Sequence, residues 1–184
     1  MALASEKLNR SDKANLADFY HEDEVDLFPS FKRHLALSKE IAKAQYHQEA
    51  WLELLIAVEC LVKDIYCAVR FATWKNKLPT GLDNKEFYDR LHFREASVVK
   101  SFGHDLKFLT KHLASVVSDL GSDADFRKFI EALPPDGSWV ALRYRNPPKR
   151  DRMYKRNFEL LTNRLSTVLD GKLEPFMEAY LKWK

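Results

Sequence analysis

The chain has 184 residues, of which 46% are apolar and 31% charged, with a formal net charge of +3. That length suits one domain, which can bury roughly 70% of its unfolded surface and needs neither disulfides nor metal to fold. The apolar fraction excludes wholesale disorder. Only five glycines stand against many Leu, Ala, Glu and Lys, which points to helices.

Residues 1 to 29 are polar, acidic and weakly periodic, and read as an arm with a short helix near Lys13 to Phe19. Asp18 to Asp26 holds five acids and no Lys or Arg. Ser30 is placed to cap a first helix over Phe31 to Ala44. A second follows from Tyr46 to Trp74, where Trp51, Leu54, Leu55, Val58, Leu61, Val62, Ile65 and Val69 recur in helical steps. No Gly or Pro separates the two, so a single rod and a hairpin both remain open. Pro79 and Gly81 mark a loop, and Lys85 to Lys100 suits one or two short helices.

A third long helix is expected from Ser101 to Leu120, with Gly121 as its stop. A shorter one spans Ala124 to Ala132 and ends at Pro134-Pro135, and Asp136-Gly137 turns the chain. Pro147 and Pro148 make Val140 to Arg150 extended or looped. From Asp151 onward, Phe158, Leu161, Leu165, Leu169, Leu173, Phe176, Tyr180 and Trp183 keep one phase across Gly171, which predicts one continuous final helix. No segment alternates with a strand period. The expected fold is all-α: a bundle of about four long helices over residues 30 to 184, with shorter ones between them.

The most apolar stretch, Trp51 to Ala72, is broken by Glu53, Glu59, Lys63, Asp64 and Arg70, so no membrane span is expected. The N-terminus shows no apolar signal core. Cys60 and Cys67 lie about 10 Å apart on one helix, beyond the ~7 Å reach of a disulfide. Reduced thiols in a cytoplasmic protein are the expectation, as core filler rather than nucleophiles.

Six histidines, His21, His34, His47, His92, His104 and His112, form no metal-ligand spacing, and no Gly-rich phosphate loop is present. Neither a metal nor another cofactor is expected. Three features remain. Glu59 and Lys63 form an i, i+4 pair beside the apolar stripe, either a helix ion pair or the edge of a groove. His104 stands beside Gly103 and Asp105 where the third helix begins, either as a boundary residue or as a phosphate contact or proton carrier. Arg143 to Arg156 (RYRNPPKRDRMYKR) carries Arg143, Arg145, Lys149, Arg150, Arg152, Lys155 and Arg156 against Asp151 alone. That is +6 in one segment, which leaves the rest of the chain at −3. It is either a solvated face or a phosphate-binding strip, with Tyr144 and Tyr154 available to stack on bases.

The order of these features resembles a HEPN domain, an all-helical module associated with nucleotides and RNA. The resemblance rests on AVECLVKDIY around Glu59 and Lys63, on Gly103-His-Asp-Leu106 continuing KFLTKHL, and on Leu142-Arg-Tyr144 before a final long helix. It covers about residues 31 to 184. Many members of that family are ribonucleases whose Arg, four to six residues, then His motif works across a dimer. This chain has no such spacing. The resemblance therefore implies the non-catalytic branch: a homodimeric module binding RNA, a nucleotide or another anionic partner through His104, Arg143, Tyr144, Arg145, Lys149, Arg150 and Arg152. A toxin–antitoxin or defence setting, with a nucleotidyltransferase partner, belongs to the same implication. Two alternatives stand beside it. One is a divergent metal-independent ribonuclease using His104 and Arg143. The other is a protein-interaction bundle with no small ligand.

Overall fold

The computed structural model describes residues 27–75, 103–144, 151–173 and 175, with the side chains of 67, 68, 70–75, 143, 144 and 151 excepted. The proposed arm, the expected loop and short helices between 76 and 102, and the last residues of the chain lie outside that description. Every regular element among the described residues is helical.

Helix α1 spans Leu27–Lys43. It begins four residues before the expected Phe31, and Ser30 is inside it rather than capping it. Pro29 does not delay the start, because the N–H groups of a first turn have no helical partner and proline sacrifices nothing there. Phe28 and Phe31 are buried with ring centroids 6.1 Å apart, and the Lys32 ammonium lies 4.4 Å from the Phe28 centroid. The chain then reverses over Ala44 to Tyr46. Gln45 takes a left-handed φ of 69°, and the Tyr46 N–H closes back on the Ile41 carbonyl at 3.3 Å. A hairpin results, not a rod.

Helix α2, His47–Lys75, is the centre of the molecule. Trp51, Leu54, Leu55, Val58, Leu61 and Ile65 are buried on it, and so are Ala50 and Ala57. A helix apolar around most of its girth needs neighbours on several sides. Helices α1, α3 and α6 and a 3-10 helix supply them.

Helix α3, Leu106–Val116, is capped by Asp105, whose carboxylate accepts the Phe108 N–H at 2.8 Å. It does not run to Leu120. Val117 leaves the helical region (φ −119°, ψ 97°), and the short α4, Ser118–Ser122, starts afresh. Gly121 is not a stop either. It lies in α4 where the turn folds back on α3, and a Cβ there would stand 2.6 Å from the Ala114 carbonyl oxygen. Close backbone approach is the reason for glycine at this position.

Helix α5, Ala124–Ala132, has the expected bounds, with Asp123 accepting the Phe126 N–H at 2.7 Å. A 3-10 helix, Gly137–Tyr144, follows the Pro134-Pro135 step. The extended chain expected from Val140 is thus 3-10 as far as Tyr144, because the prolines that forbid helix come only afterwards. Helix α6, Asp151–Val168, buries Tyr154, Phe158, Leu161, Leu165 and Val168. It stops short of the continuous rod that the apolar phase predicts. In the kinked turn Leu169–Leu173, Asp170 has ψ 105° and Gly171 φ 83°. Gly171 takes the left-handed conformation that ends many helices, while Leu173 beyond it is still fully buried. Among the described residues no helix is long and apolar enough to cross a membrane.

Candidate functional site

The i, i+4 pair read from the sequence forms: the Lys63 ammonium donates to Glu59 Oε1 within α2. The carboxylate also takes a partner 45 residues away. His104 Nδ1 lies 3.1 Å from both Oε1 and Oε2 of Glu59. A carboxylate in an ion pair has only lone pairs to offer, so the imidazole proton on this side must sit on Nδ1. That fixes the ring and leaves Nε2 as the free nitrogen.

Exposure is steeply graded across the cluster. The side chains of Glu59 and Lys63 are 10% and 16% exposed, whereas that of His104 is 50% exposed. An acid is buried, a base beside it neutralises it, and an imidazole stands at the rim.

Three features hold His104. Gly103, with φ 57°, turns the chain into it. The Trp139 indole Nε1 donates to the His104 carbonyl at 2.8 Å. The two rings also meet edge to face, centroids 5.9 Å apart. Gly137 opens the 3-10 helix directly against His104, since a Cβ at Gly137 would touch the His104 backbone and Cβ at 3.4 Å. The start of α3 and the 3-10 helix are therefore locked together at this residue.

The sequence-predicted residues fall out unevenly. His104 joins Glu59 and Lys63. Arg143 and Tyr144 close the 3-10 helix whose first turn packs on His104. At a rise of about 2 Å per residue, Arg143 lies roughly 8 Å along the axis from Trp139. Arg152 is exposed in the first turn of α6. Arg145, Lys149 and Arg150 lie outside the described residues. Tyr154 cannot stack on a base as a surface ring, because it is 6% exposed and part of the core. The start of α3 is not an open anion site either, since the Asp105 carboxylate already occupies it. Sequence reasoning missed Trp139 altogether. Its only signal was a tryptophan two residues past the Asp136-Gly137 turn.

Cys60 sits next to Glu59 as a free thiol. Burial, and then the Glu59 charge, push it up to about 11. A thiolate nucleophile is thereby disfavoured at neutral pH. No group of three or more metal-ligating side chains forms among the described residues. Compared with family models, curated proteins and solved structures, the chain matches none.

Proposed function

We propose that this chain is a HEPN-like helical module that binds RNA or a nucleotide through its phosphates, without cleaving it, and works as a homodimer. The observation that carries the reading is the half-exposed His104 ring, held by a buried carboxylate that Lys63 already neutralises. Protonation of such a ring adds a net positive charge at the rim, where a phosphate can meet it. The +6 segment from Arg143 to Arg156 begins on the 3-10 helix that braces the same residue and supplies further phosphate contacts.

Fluorescence anisotropy with labelled single-stranded RNA, measured across a salt series, tests this. Affinity is expected to fall steeply with salt. Replacing Arg143, Arg145 and Arg150 together with Ala lowers the slope by about three, one per lost phosphate contact. His104→Ala weakens binding modestly and leaves the RNA intact. Affinity that is unchanged in the triple variant places the site elsewhere.

One observation favours the ribonuclease reading as a second possibility. A carboxylate on Nδ1 with Nε2 free is the arrangement that orients a general base. RNA cleavage in EDTA that disappears with His104→Ala selects it over simple binding.

A further inference from the structure

On the other side of Trp139 from the interior, between the Pro134-Pro135 step and α6, lies an open cleft of about 370 Å³. Its lining includes Trp51, Trp139 and Tyr154, one from each of three different elements. All three are less than a tenth exposed, so the core fixes their positions before any ligand arrives. Pro134 and Pro135 add a wall of low conformational freedom. Polar groups are few: the exposed Ser138 hydroxyl and the half-buried Asn157 amide. The Trp139 N–H is already committed to the His104 carbonyl, so that residue presents carbon surface to the cleft.

We infer that this cleft takes a nucleobase, resting on the phosphate-binding reading above for the charge that accompanies it. Three things single out that occupant. Aromatic and prolyl surfaces suit a flat heteroaromatic ring, and stacking on them is tolerant of base identity. One amide and one hydroxyl at the rim match the donor and acceptor edge of a base; an alkyl chain leaves both unpaired. Positive groups flank the cleft on two sides. Trp139 touches His104, and Arg152, exposed, directly precedes the lining residue Met153. A planar ring carrying a phosphate satisfies the cleft and its flanks together. Met153 is 43% exposed at that edge, an apolar side chain left open where a base can cover it.

The test uses the full chain and three kinds of probe: an octamer of oligoadenylate, an abasic ribose-phosphate octamer, and the four free ribonucleosides, which carry no charge. The oligoadenylate is expected to bind about tenfold tighter than the abasic chain. At least one ribonucleoside is expected to change tryptophan fluorescence saturably at millimolar concentration. Ser138→Phe fills the cleft and brings the two octamers to equal affinity while the abasic chain binds as before. Asn157→Ala, a milder change at the rim, weakens ribonucleoside binding several-fold with the circular dichroism spectrum unchanged. Equal octamer affinities with no ribonucleoside response overturn the cleft assignment, and any salt-dependent abasic binding then leaves the phosphate reading standing. Ribonucleoside binding without abasic binding does the reverse: the cleft stands and the phosphate reading falls. An octamer ratio untouched by Ser138→Phe puts the base elsewhere and also overturns the assignment.

Discussion

Glu53 and Glu59 stand six residues apart on α2, and each meets a histidine from another element. His34 Nδ1 of α1 lies 2.6 Å from Glu53 Oε2, with both side chains 21% exposed. His104 Nδ1 lies 3.1 Å from each oxygen of Glu59, with the acid buried and the imidazole half open. Six residues turn a helix by about 240°, so the two carboxylates face different neighbours. The first pair is evenly enclosed and joins two helices of one hairpin. The second is graded from inside to outside, shares its acid with Lys63, and is braced from behind by Trp139. Identical partners thus make a clamp in one place and a presented imidazole in the other. What separates them is exposure and the third charge.

The largest way to break this contrast is Glu59→Ala. It strands the Lys63 ammonium, only 16% exposed, without its anion. A loss of about 3 kcal/mol in urea unfolding is expected. Replacing Glu59 and Lys63 together with Met removes both charges, and the double variant is expected to be more stable than Glu59→Ala alone. A double variant at least as unstable as the single one shows that the ion pair, not the orphaned charge, sets the energy.

At the other junction, Glu53→Ala removes a partly exposed hydrogen-bonded pair. About 1 kcal/mol is expected, from the same unfolding measurement. His104→Ala is smaller still in stability, within about 1 kcal/mol, because the ring is half exposed and the backbone carbonyl still accepts the Trp139 N–H. Its effect is expected in RNA affinity instead. A His34→Ala variant that weakens RNA binding as much as His104→Ala erases the distinction between the two histidines.

A third charged junction sets the exposed limit. The Lys172 ammonium donates to Asp123 at 2.8 Å and to Asp125 at 3.0 Å, tying the turn after α6 to the start of α5. Hydrogen bonds from Lys172 hold both carboxyls below their ordinary value of 3.8, and those same bonds raise Lys172 above 10.5. Depressed carboxyls contribute stability that is present above the ordinary carboxylate range and lost as pH falls through their lowered values. The raised lysine contributes below 10.5 and loses its contribution as pH climbs through its higher value. Lys172→Met is therefore expected to leave the melting temperature almost unchanged near neutrality and to flatten its fall in acid. A large neutral-pH shift shows that Lys172 packs rather than pairs.

Local signals carried much of this molecule. The three-and-four spacing from Trp51 to Val69 defines α2, because an amphipathic or buried helix must repeat at its own turn. Asp123, the prolines after Leu133 and the Phe126, Phe129 and Ile130 stripe bound α5 to the residue. Glu59 and Lys63 were legible as a pair because i, i+4 neighbours on a helix meet whatever the rest of the fold does. Where local pattern failed, tertiary contacts had overruled it. The apolar phase runs on through Val117, yet the backbone breaks there so that α4 can fold against Ala114, a contact only glycine permits at 121. The phase also survives Gly171, because a kinked turn returned Leu173 to the same core.

The amino-acid sequence alone determines that this protein is helical, that α2 is its apolar axis, that Glu59 and Lys63 pair, and that +6 gathers between Arg143 and Arg156. Those properties depend on neighbours within a turn or on composition. Only the tertiary structure decides that Glu59 meets His104 rather than solvent, that Trp139 braces it, and that Pro134 and Asn157 face one another across a cleft. Those contacts join residues 35 to 80 positions apart or come from separate elements, and hydrogen bonds and stacking act over a few ångströms. Nothing in the linear order reveals which distant groups the packing of five helices will bring within that range.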